Sequence, residues 1–169
     1  EDETEPRLLC SPAYYHQVHA LGVWSLPDRS VPAKAAIEDE LAAAIKFYQG
    51  QIAQRQWYGF WDFGDVMHSY DPYRHEWKYD MGGFAWQNTE LASDVWLWLS
   101  FMRTGRPDIF RMAEAMTRET QEVDVYHIGP MKGLGSRHNV RHWGDGAKEL
   151  RVSQAALKRY YYYLTTDER

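Results

Sequence analysis

The strongest constraint on the fold is the stretch "SDVWLWLSFMRTGRPDIFRMAEAM", residues 93–116. Its first half is apolar nearly all round, which predicts a buried inner helix with Trp96 and Trp98 in the core. Gly105 is a typical helix stop and Pro107 a typical helix start, so a second helix follows after a very short link. Two helices joined in this way form an antiparallel helical hairpin.

The two helices of this hairpin differ in pattern. The first is predicted over about residues 89–104, with Asn88 or Thr89 as its N-cap. The second has an apolar stripe and a polar face, which is typical of an outer helix. The stripe consists of Ile109, Met112, Ala113 and Met116, and the predicted outward face of Arg111, Glu114, Arg118 and Glu119.

Two further helices flank the hairpin. One is predicted over about residues 32–49, with Ser30 as cap, Pro32 in the first turn and Gly50 as stop. The other is predicted over about residues 145–165. Their apolar stripes are Ile37, Leu41, Ala44, Ile45 and Tyr48 in the former, and Leu150, Leu157, Tyr161 and Leu164 in the latter.

Short sequence echoes suggest a repeated hairpin. "SFMRTGRPD" and "YYYLTTDER" both end a helix, and "DFGD" resembles "HWGD". The fold class predicted is therefore mainly α, an incomplete (α/α) toroid of helical hairpins with long aromatic-rich loops and short β stretches such as "HEWKYDM". A plain helical bundle would give a similar pattern. Because the chain opens without methionine and ends just after a helix, we expect residues 1–169 to be one segment of a longer multidomain protein.

The composition of the chain argues against some classes of binding partner and favours others. The formal net charge of −5 argues against a nucleic-acid partner, since such proteins usually present a basic face. A single cysteine, Cys10, excludes an internal disulfide, and no apolar run is long enough to span a membrane. Aromatic residues make up 15% of the chain, and many lie in polar, glycine-rich stretches where they can serve as flat platforms for sugars.

The upstream segment, residues 57–90, reads "WYGFWDFGDVMHSYDPYRHEWKYDMGGFAWQNTE". Long loops of this composition are usually functional rather than disordered. Asn88 has an alternative interpretation as a helix cap, and Asp71-Pro72 as a simple turn. The candidates for stacking on a ligand are Tyr58, Trp61, Trp77 and Trp86, those for binding hydroxyls are Asp62, Asp65, Asp80, Asn88 and Glu90, and those for moving protons are His68 and Tyr79.

The downstream segment, residues 123–149, reads "VDVYHIGPMKGLGSRHNVRHWGDGAKE". Arg137, His138, Arg141 and His142 form a basic cluster in an acidic chain, which favours an anionic small ligand. Arginine fits a carboxylate, and histidine carries protons near neutral pH. The alternative is a structured turn in which Asp145 only caps a helix. His127 either lines the same cleft or is a buried histidine with satisfied hydrogen bonds.

A metal site is the less favoured interpretation of this segment. His138 and His142 have i, i+4 spacing and Asp145 follows, which could place ligands on one helix face. The stretch has the composition of a loop, however, and it lacks the glutamate of an H-E-x-x-H motif. We therefore predict no cofactor. A calcium ion shared with substrate is an open alternative, although no spacing requires one.

Both segments together resemble the C-terminal toroid domain of polysaccharide lyase family 26, the exo-acting rhamnogalacturonan lyases and their bacterial relatives. The resemblance runs from about Trp57 to the C-terminus. It implies β-elimination at a galacturonate of the rhamnogalacturonan I backbone, an acidic polysaccharide or oligosaccharide as partner, and a secreted or periplasmic location. It also implies that an isolated toroid segment, without the accompanying β domains, can lack part of its active site.

This reaction implies a catalytic or binding role for each candidate residue. A positive group must neutralise the uronate carboxylate, a base must remove the C5 proton, and an acid must protonate the leaving oxygen. The predicted clamp is Arg137 with Asn139, the base His138 or His142, and the acid Tyr79, Tyr58 or the other histidine. Sugars are expected to stack on Trp61, Trp86 and Trp143, and the predicted substrate contacts further include Asp62, Asp65, His68, Asn88, Glu90 and Asp145.

Two rival functions use the same residues differently. A glycoside hydrolase on a toroid needs a carboxylate pair, such as Asp62 with Asp65 or Glu90, and has less use for the basic cluster. A non-catalytic carbohydrate-binding domain needs the aromatic and carboxamide side chains but no proton-transfer groups.

Overall fold

The computed structural model describes residues 9–56, 69–78, 92–123, 125–134 and 158–168. Within these residues the chain is mainly helical, as predicted. The elements in order are α1 (Pro12–Gln17), α2 (Pro32–Arg55), β1 (Ser69–Asp71), β2 (Glu76–Lys78), α3 (Ser93–Thr104), α4 (Pro107–Arg118), a π-helical turn (Glu119–Val123) and α5 (Arg159–Thr165).

The α3–α4 hairpin forms the centre of the core. Trp98 is fully buried, and its ring meets Phe110 of α4 edge to face at 5.1 Å between centroids. Trp96 is partly buried against the same cluster. The predicted α4 stripe is also buried, and it consists of Ile109, Met112, Ala113 and Met116. The inner-helix prediction for α3 is thus confirmed.

The link between α3 and α4 depends on Gly105. Its φ of +69° lies in the left-handed region, and its N–H donates to the Phe101 carbonyl at 2.7 Å. A Cβ here would lie 3.2 Å from Cγ of Pro12, so α1 packs directly on the turn. Pro107 then opens α4. Gly105 therefore ends α3 and Pro107 begins α4, as the sequence predicts.

The predicted boundaries of α2 are correct at Pro32 and wrong elsewhere. The N-cap is Val31, which makes no side-chain cap bond, while the Ser30 amide donates to Asp28 Oδ1 at 2.8 Å instead. The helix also passes through Gly50 and ends at Arg55. A glycine inside a helix costs only about 1 kcal/mol, so neighbouring core contacts can override it.

Those neighbouring contacts lie on both sides of Gly50. Gln51 is buried, and Tyr48 and Ile52 pack against the core. Within the predicted α2 stripe, Ile45 is buried, but Ile37 is 58% exposed. The first turns of α2 therefore stand further from the core than the periodicity indicates.

The start of α3 differs from the prediction, and one helix was not predicted. Helix α3 begins at Ser93, after Ala92 in the left-handed region, and the proposed caps Asn88 and Thr89 lie outside the described residues. Helix α1 was not predicted. It starts with Pro12, and the Ser11 hydroxyl accepts the Tyr14 amide at 3.3 Å.

Glu119 does not face outward, because its side chain is fully buried. It lies three residues after Met116 and seven after Met112, and this spacing returns it to the buried stripe of α4. Arg111, by contrast, is exposed, as predicted for the outer face.

The fourth predicted helix is described over its last turns. Tyr161 is buried, Leu164 packs against the core, and the helix ends at Thr165 as predicted. The predicted helical residues before 158 lie outside the described ranges.

A short β-hairpin forms within the upstream segment. β1 and β2 pair antiparallel, with Tyr70 opposite Trp77. The Asp71 carboxylate accepts the amides of Tyr73 at 3.0 Å and Arg74 at 3.2 Å. This confirms the turn at Asp71-Pro72 and a short β stretch within "HEWKYDM".

Candidate functional site

Three helix ends meet at one end of the α3–α4 hairpin, opposite the Gly105 turn. Lys158, which precedes α5, donates from Nζ to Asp94 Oδ2 at 2.9 Å. The same ammonium donates to the Thr120 hydroxyl. Asp94 lies in the first turn of α3, and Thr120 in the π-helical turn that ends α4. We call this the loop end, and the Gly105 end the turn end.

Both long segments join the helices at the loop end. The upstream segment leads into α3, and the downstream segment starts at Val123, the last residue of the π-helical turn. The chain that follows it re-enters the described fold at Lys158. Because these junctions are in contact through Lys158, the topology brings the attachment points of both segments together.

The loop end holds a buried polar cluster consisting of Asp94, Thr117, Thr120 and Lys158, which are joined by hydrogen bonds. The Asp94 side chain is fully buried, and that of Lys158 is 17% exposed. Burying these two charges is costly unless they are paired and hydrogen-bonded. Asp94 Oδ1 also accepts the Val95 amide at 2.9 Å, so both carboxylate oxygens are bonded.

The cluster is tied to the core through Thr117. Its hydroxyl accepts the indole N–H of Trp98 at 2.8 Å, and its carbonyl accepts the Thr120 hydroxyl at 3.0 Å. These bonds link the end of α4 to the middle of α3 and fix the π-helical turn relative to Lys158.

The π-helical turn widens the end of α4. Arg118 forms two bonds to Glu122, at 2.8 and 3.2 Å, and a His127 ring nitrogen lies 3.0 Å from the Glu122 carbonyl. His127 is exposed, so the interpretation as a buried histidine is wrong. Single π-helical turns at helix ends often accompany functional sites.

The described part of the downstream segment folds back on itself. The Tyr126 amide donates to the Leu134 carbonyl at 3.0 Å, and the Gly133 amide to the Tyr126 carbonyl at 2.9 Å. Gly133 has a φ of +85°, which glycine adopts without strain. Leu134 is thereby held close to the π-helical turn, and the basic stretch "GSRHNVRHWGD" follows directly after it.

The predicted site residues themselves lie outside the described ranges and stay predictions. They are Tyr58, Trp61, Asp62, Asp65, His68, Tyr79, Trp86, Asn88, Glu90, Arg137, His138, Asn139, His142, Trp143 and Asp145. The structure describes the neighbouring chain at the loop end, where the upstream segment enters α3 and the downstream segment leaves α4.

Sequence reasoning missed the buried polar cluster. One signal was available, because Asp94 is a charged residue at the start of a helix that is otherwise apolar nearly all round. A charge in such a helix predicts a buried partner, but nothing local identifies Lys158 as that partner, 64 positions away.

A cavity of about 580 Å³ lies elsewhere, between α1 and α5. Its described lining includes Cys10, Tyr14, Arg159 and Tyr163, and no predicted site residue. Next to it, Tyr161 donates to Asp167 Oδ2 at 2.6 Å, and burial followed by this bond raises the pKa of Tyr161 to about 12. The described lining of this cavity is largely apolar.

The described residues also bear on metal binding and on membrane crossing. Among them, no group of three or more His, Cys, Asp or Glu side chains is placed to hold a metal ion. No described helix is both long and apolar enough to cross a membrane.

The antiparallel hairpin, the third helix beside it and the long segments at one end are the features of an (α/α) toroid. Over residues 5–169 the chain matches the family described as the PcRGLX-like protein C-terminal alpha/alpha toroid domain. The chain therefore belongs to this family. The expected resemblance and the predicted fold class are both confirmed.

One relative is similar over nearly the whole chain. It is the "Uncharacterized protein YetA" of Bacillus subtilis (strain 168), 58% identical over 167 residues. The match covers 99% of this chain and 20% of the relative, so the chain spans about a fifth of that protein's length.

Proposed function

We propose that this chain contributes to the active site of a polysaccharide lyase that cleaves the rhamnogalacturonan I backbone at galacturonate. Membership in an RGLX-like toroid family supports a function that involves carbohydrates. The observation that carries the proposal is the meeting of the two segments' junctions at the loop end, where Lys158 contacts Asp94 and Thr120. The residues predicted for catalysis and for sugar binding belong to these two segments, which supports a shared site at the loop end.

The reaction is a β-elimination. A base removes the proton at C5 of galacturonate, the electrons form a C4=C5 double bond, and the bond from C4 to the glycosidic oxygen breaks. An acid returns a proton to that oxygen. The C5 proton becomes acidic only when the neighbouring carboxylate is neutralised, so a positive group must contact it.

The downstream segment supplies the right chemistry for the first two roles. Arg137 with Asn139 clamps the carboxylate, since the guanidinium offers two parallel N–H donors to its two oxygens. His138 or His142 is the base, because histidine exchanges protons near neutral pH. Concentrating these groups in a chain of net charge −5 favours local recognition of one anionic group, such as a uronate carboxylate, over binding along a nucleic-acid backbone.

The upstream segment supplies the remaining roles. Tyr79 protonates the leaving oxygen, with Tyr58 or the second histidine as alternatives. Trp61 and Trp86 stack on sugar rings, together with Trp143 from the downstream segment. The hydroxyl contacts are Asp62, Asp65, His68, Asn88, Glu90 and Asp145. The substrate is a plant polymer, so we infer a secreted or periplasmic protein.

The test uses the complete protein, meaning the full translated polypeptide that includes this chain. It is incubated with rhamnogalacturonan I oligosaccharides, and ultraviolet absorbance of the new double bond is followed with product analysis. We expect absorbance to grow, and to be lost in Arg137→Ala and His138→Ala. The matched controls are Arg29→Ala and His16→Ala, two exposed positions on other elements.

Three results would contradict the proposal. Cleavage without absorbance would indicate a hydrolase and move attention to Asp62, Asp65 and Glu90. Binding without cleavage would indicate a carbohydrate-binding domain. Full activity in both Arg137→Ala and His138→Ala would exclude the basic cluster from catalysis. Loss of activity in EDTA would instead reveal a required metal ion such as calcium.

A further inference from the structure

The ion pair between Lys158 and Asp94 is a largely buried contact between distant residues, as is that of Arg103 with Glu38 at the turn end. It joins two residues 64 positions apart, and it lies where three helices end. On one side of it the upstream segment enters α3. On the other, Thr120 belongs to the turn from which the downstream segment leaves.

The net stabilisation that such a pair gives the fold is small. Replacing a buried ion pair by well-packed apolar side chains is often neutral or stabilising, so such a pair is weak support for a purely stabilising role. What it does provide is a directional contact, because an ammonium surrounded by fixed acceptors has few alternative positions. Here the Asp94 oxygen and the Thr120 hydroxyl fix the Nζ atom.

Backbone geometry at the same junctions fits this role. Ala92, immediately before α3, adopts the left-handed region with a φ of 52°. Such a conformation in a non-glycine residue is uncommon and persists only where its surroundings hold it. α4 leaves its regular geometry in the π-helical turn at Glu119–Val123. Both segments thus depart from the hairpin through irregular backbone that the Lys158 contacts bridge.

We propose that Lys158 is a positioning residue that, through Asp94 and Thr120, sets the upstream and downstream segments in register across the loop end. The inference rests on the proposed function. The downstream clamp and base must meet the same galacturonate that the upstream aromatic residues hold. Misplacement of reacting groups by about 1 Å can cost on the order of 100-fold in rate.

The kinetic test compares Lys158→Met with Lys34→Met in the complete protein. Lys34 is a matched control, because it pairs with Asp28 at 2.5 Å but is about half exposed and lies on α2. Rates are measured well below the unfolding temperature and divided by the folded fraction. We expect Lys158→Met to lower kcat by about 10- to 100-fold, with a much smaller change in KM, and Lys34→Met to match the wild type.

Two further readouts separate positioning from other roles. The double variant Asp94→Asn with Lys158→Met carries neither charge, so it should recover stability but not kcat. The pH profile of the remaining activity should be unchanged, because Lys158 transfers no proton to substrate. Wild-type kcat in folded Lys158→Met, recovery of kcat in the double variant, or a shifted pH profile would each overturn the inference.

A measurement without turnover distinguishes failure of this inference from failure of the proposed function. Hydrogen exchange is compared in peptides covering residues 79–90 and 135–149. We expect both to exchange faster in Lys158→Met than in the wild type or Lys34→Met, whatever the reaction is. If the wild type forms no unsaturated product, the proposed function fails. If exchange in both peptides is unchanged, the positioning role fails.

Discussion

The two ends of the α3–α4 hairpin are built on different principles. The turn end is closed by two residues, and its order comes from backbone geometry at Gly105, from the partly exposed ion pair of Arg106 with Asp108 and from the largely buried ion pair of Arg103 with Glu38. The loop end has no short link. Its order comes from the fully buried Asp94 and the largely buried Lys158.

Each end therefore contains a largely buried ion pair, and the turn end adds an exposed one. Exposed pairs contribute little to stability either way. Buried charges cost desolvation free energy that an apolar core would avoid. At the loop end this cost includes the fully buried carboxylate of Asp94, and it arises where the upstream segment enters α3 and the downstream segment leaves α4.

The largest expected effect is at the loop end. Lys158→Met should lower the free energy of unfolding by about 3–5 kcal/mol, because it leaves the Asp94 charge buried and unpaired. Lys34→Met at a surface pair should change it by less than about 1 kcal/mol. Urea unfolding of both variants measures this contrast, and equal effects would remove the distinction between the two kinds of pair.

The next effect tests the bond that ties the buried polar cluster to the core. Thr117→Val should cost about 1–3 kcal/mol, since the Trp98 indole N–H loses its buried acceptor. Thr104→Val is the control, because its hydroxyl is exposed; it donates back to the Ser100 carbonyl at 2.7 Å and accepts the Arg106 amide at 3.5 Å. Thermal unfolding compares them, and a smaller loss for Thr117→Val than for Thr104→Val would be the contradictory result.

The turn end should respond to backbone changes. Gly105→Ala should cost about 1–2 kcal/mol from the left-handed conformation alone, with crowding against Pro12 added. Gly50→Ala, inside α2 with open space around it, should instead stabilise by up to about 1 kcal/mol. Denaturant midpoints of the two variants should shift in opposite directions, and a shared direction would disprove the assignment of Gly105.

The smallest expected effect is a loss of folding stability at acid pH, caused by protonation of Asp108 at the turn end. Hydrogen bonding to Arg106 lowers the pKa of Asp108 from 3.8 to about 2. The folded state therefore gains stability above pH 3.8 and loses it as the pH falls towards 2. Asp108 is partly exposed, so we expect at most about 1 kcal/mol. Asp108→Asn should flatten this part of the stability curve, which acid titration of unfolding checks; an unchanged slope would contradict it.

Local signals were sufficient to predict the hairpin. The apolar run of α3, Gly105 and Pro107 act within a few residues of one another, so no tertiary information is needed to interpret them. The same kind of reasoning failed for α2, where core packing of Tyr48 and Ile52 carries the helix through Gly50.

The chemistry of the loop end was harder to predict. The partnership of Asp94 with Lys158 depends on how α5 packs against α3, which no local pattern encodes. Glu119 was assigned to the wrong face because it is charged, although its spacing from Met116 places it inward. The residue types of the two segments were informative about ligand chemistry, and their roles stay predictions.

The most direct measurement of the central claim is hydrogen exchange of the complete protein with and without a rhamnogalacturonan I oligosaccharide. If the loop end is the site, protection should appear together in the upstream and downstream segments, and Arg137→Ala should weaken it. Protection confined to α1 and α5, around the cavity near Tyr14 and Tyr163, would place the ligand elsewhere and contradict the account.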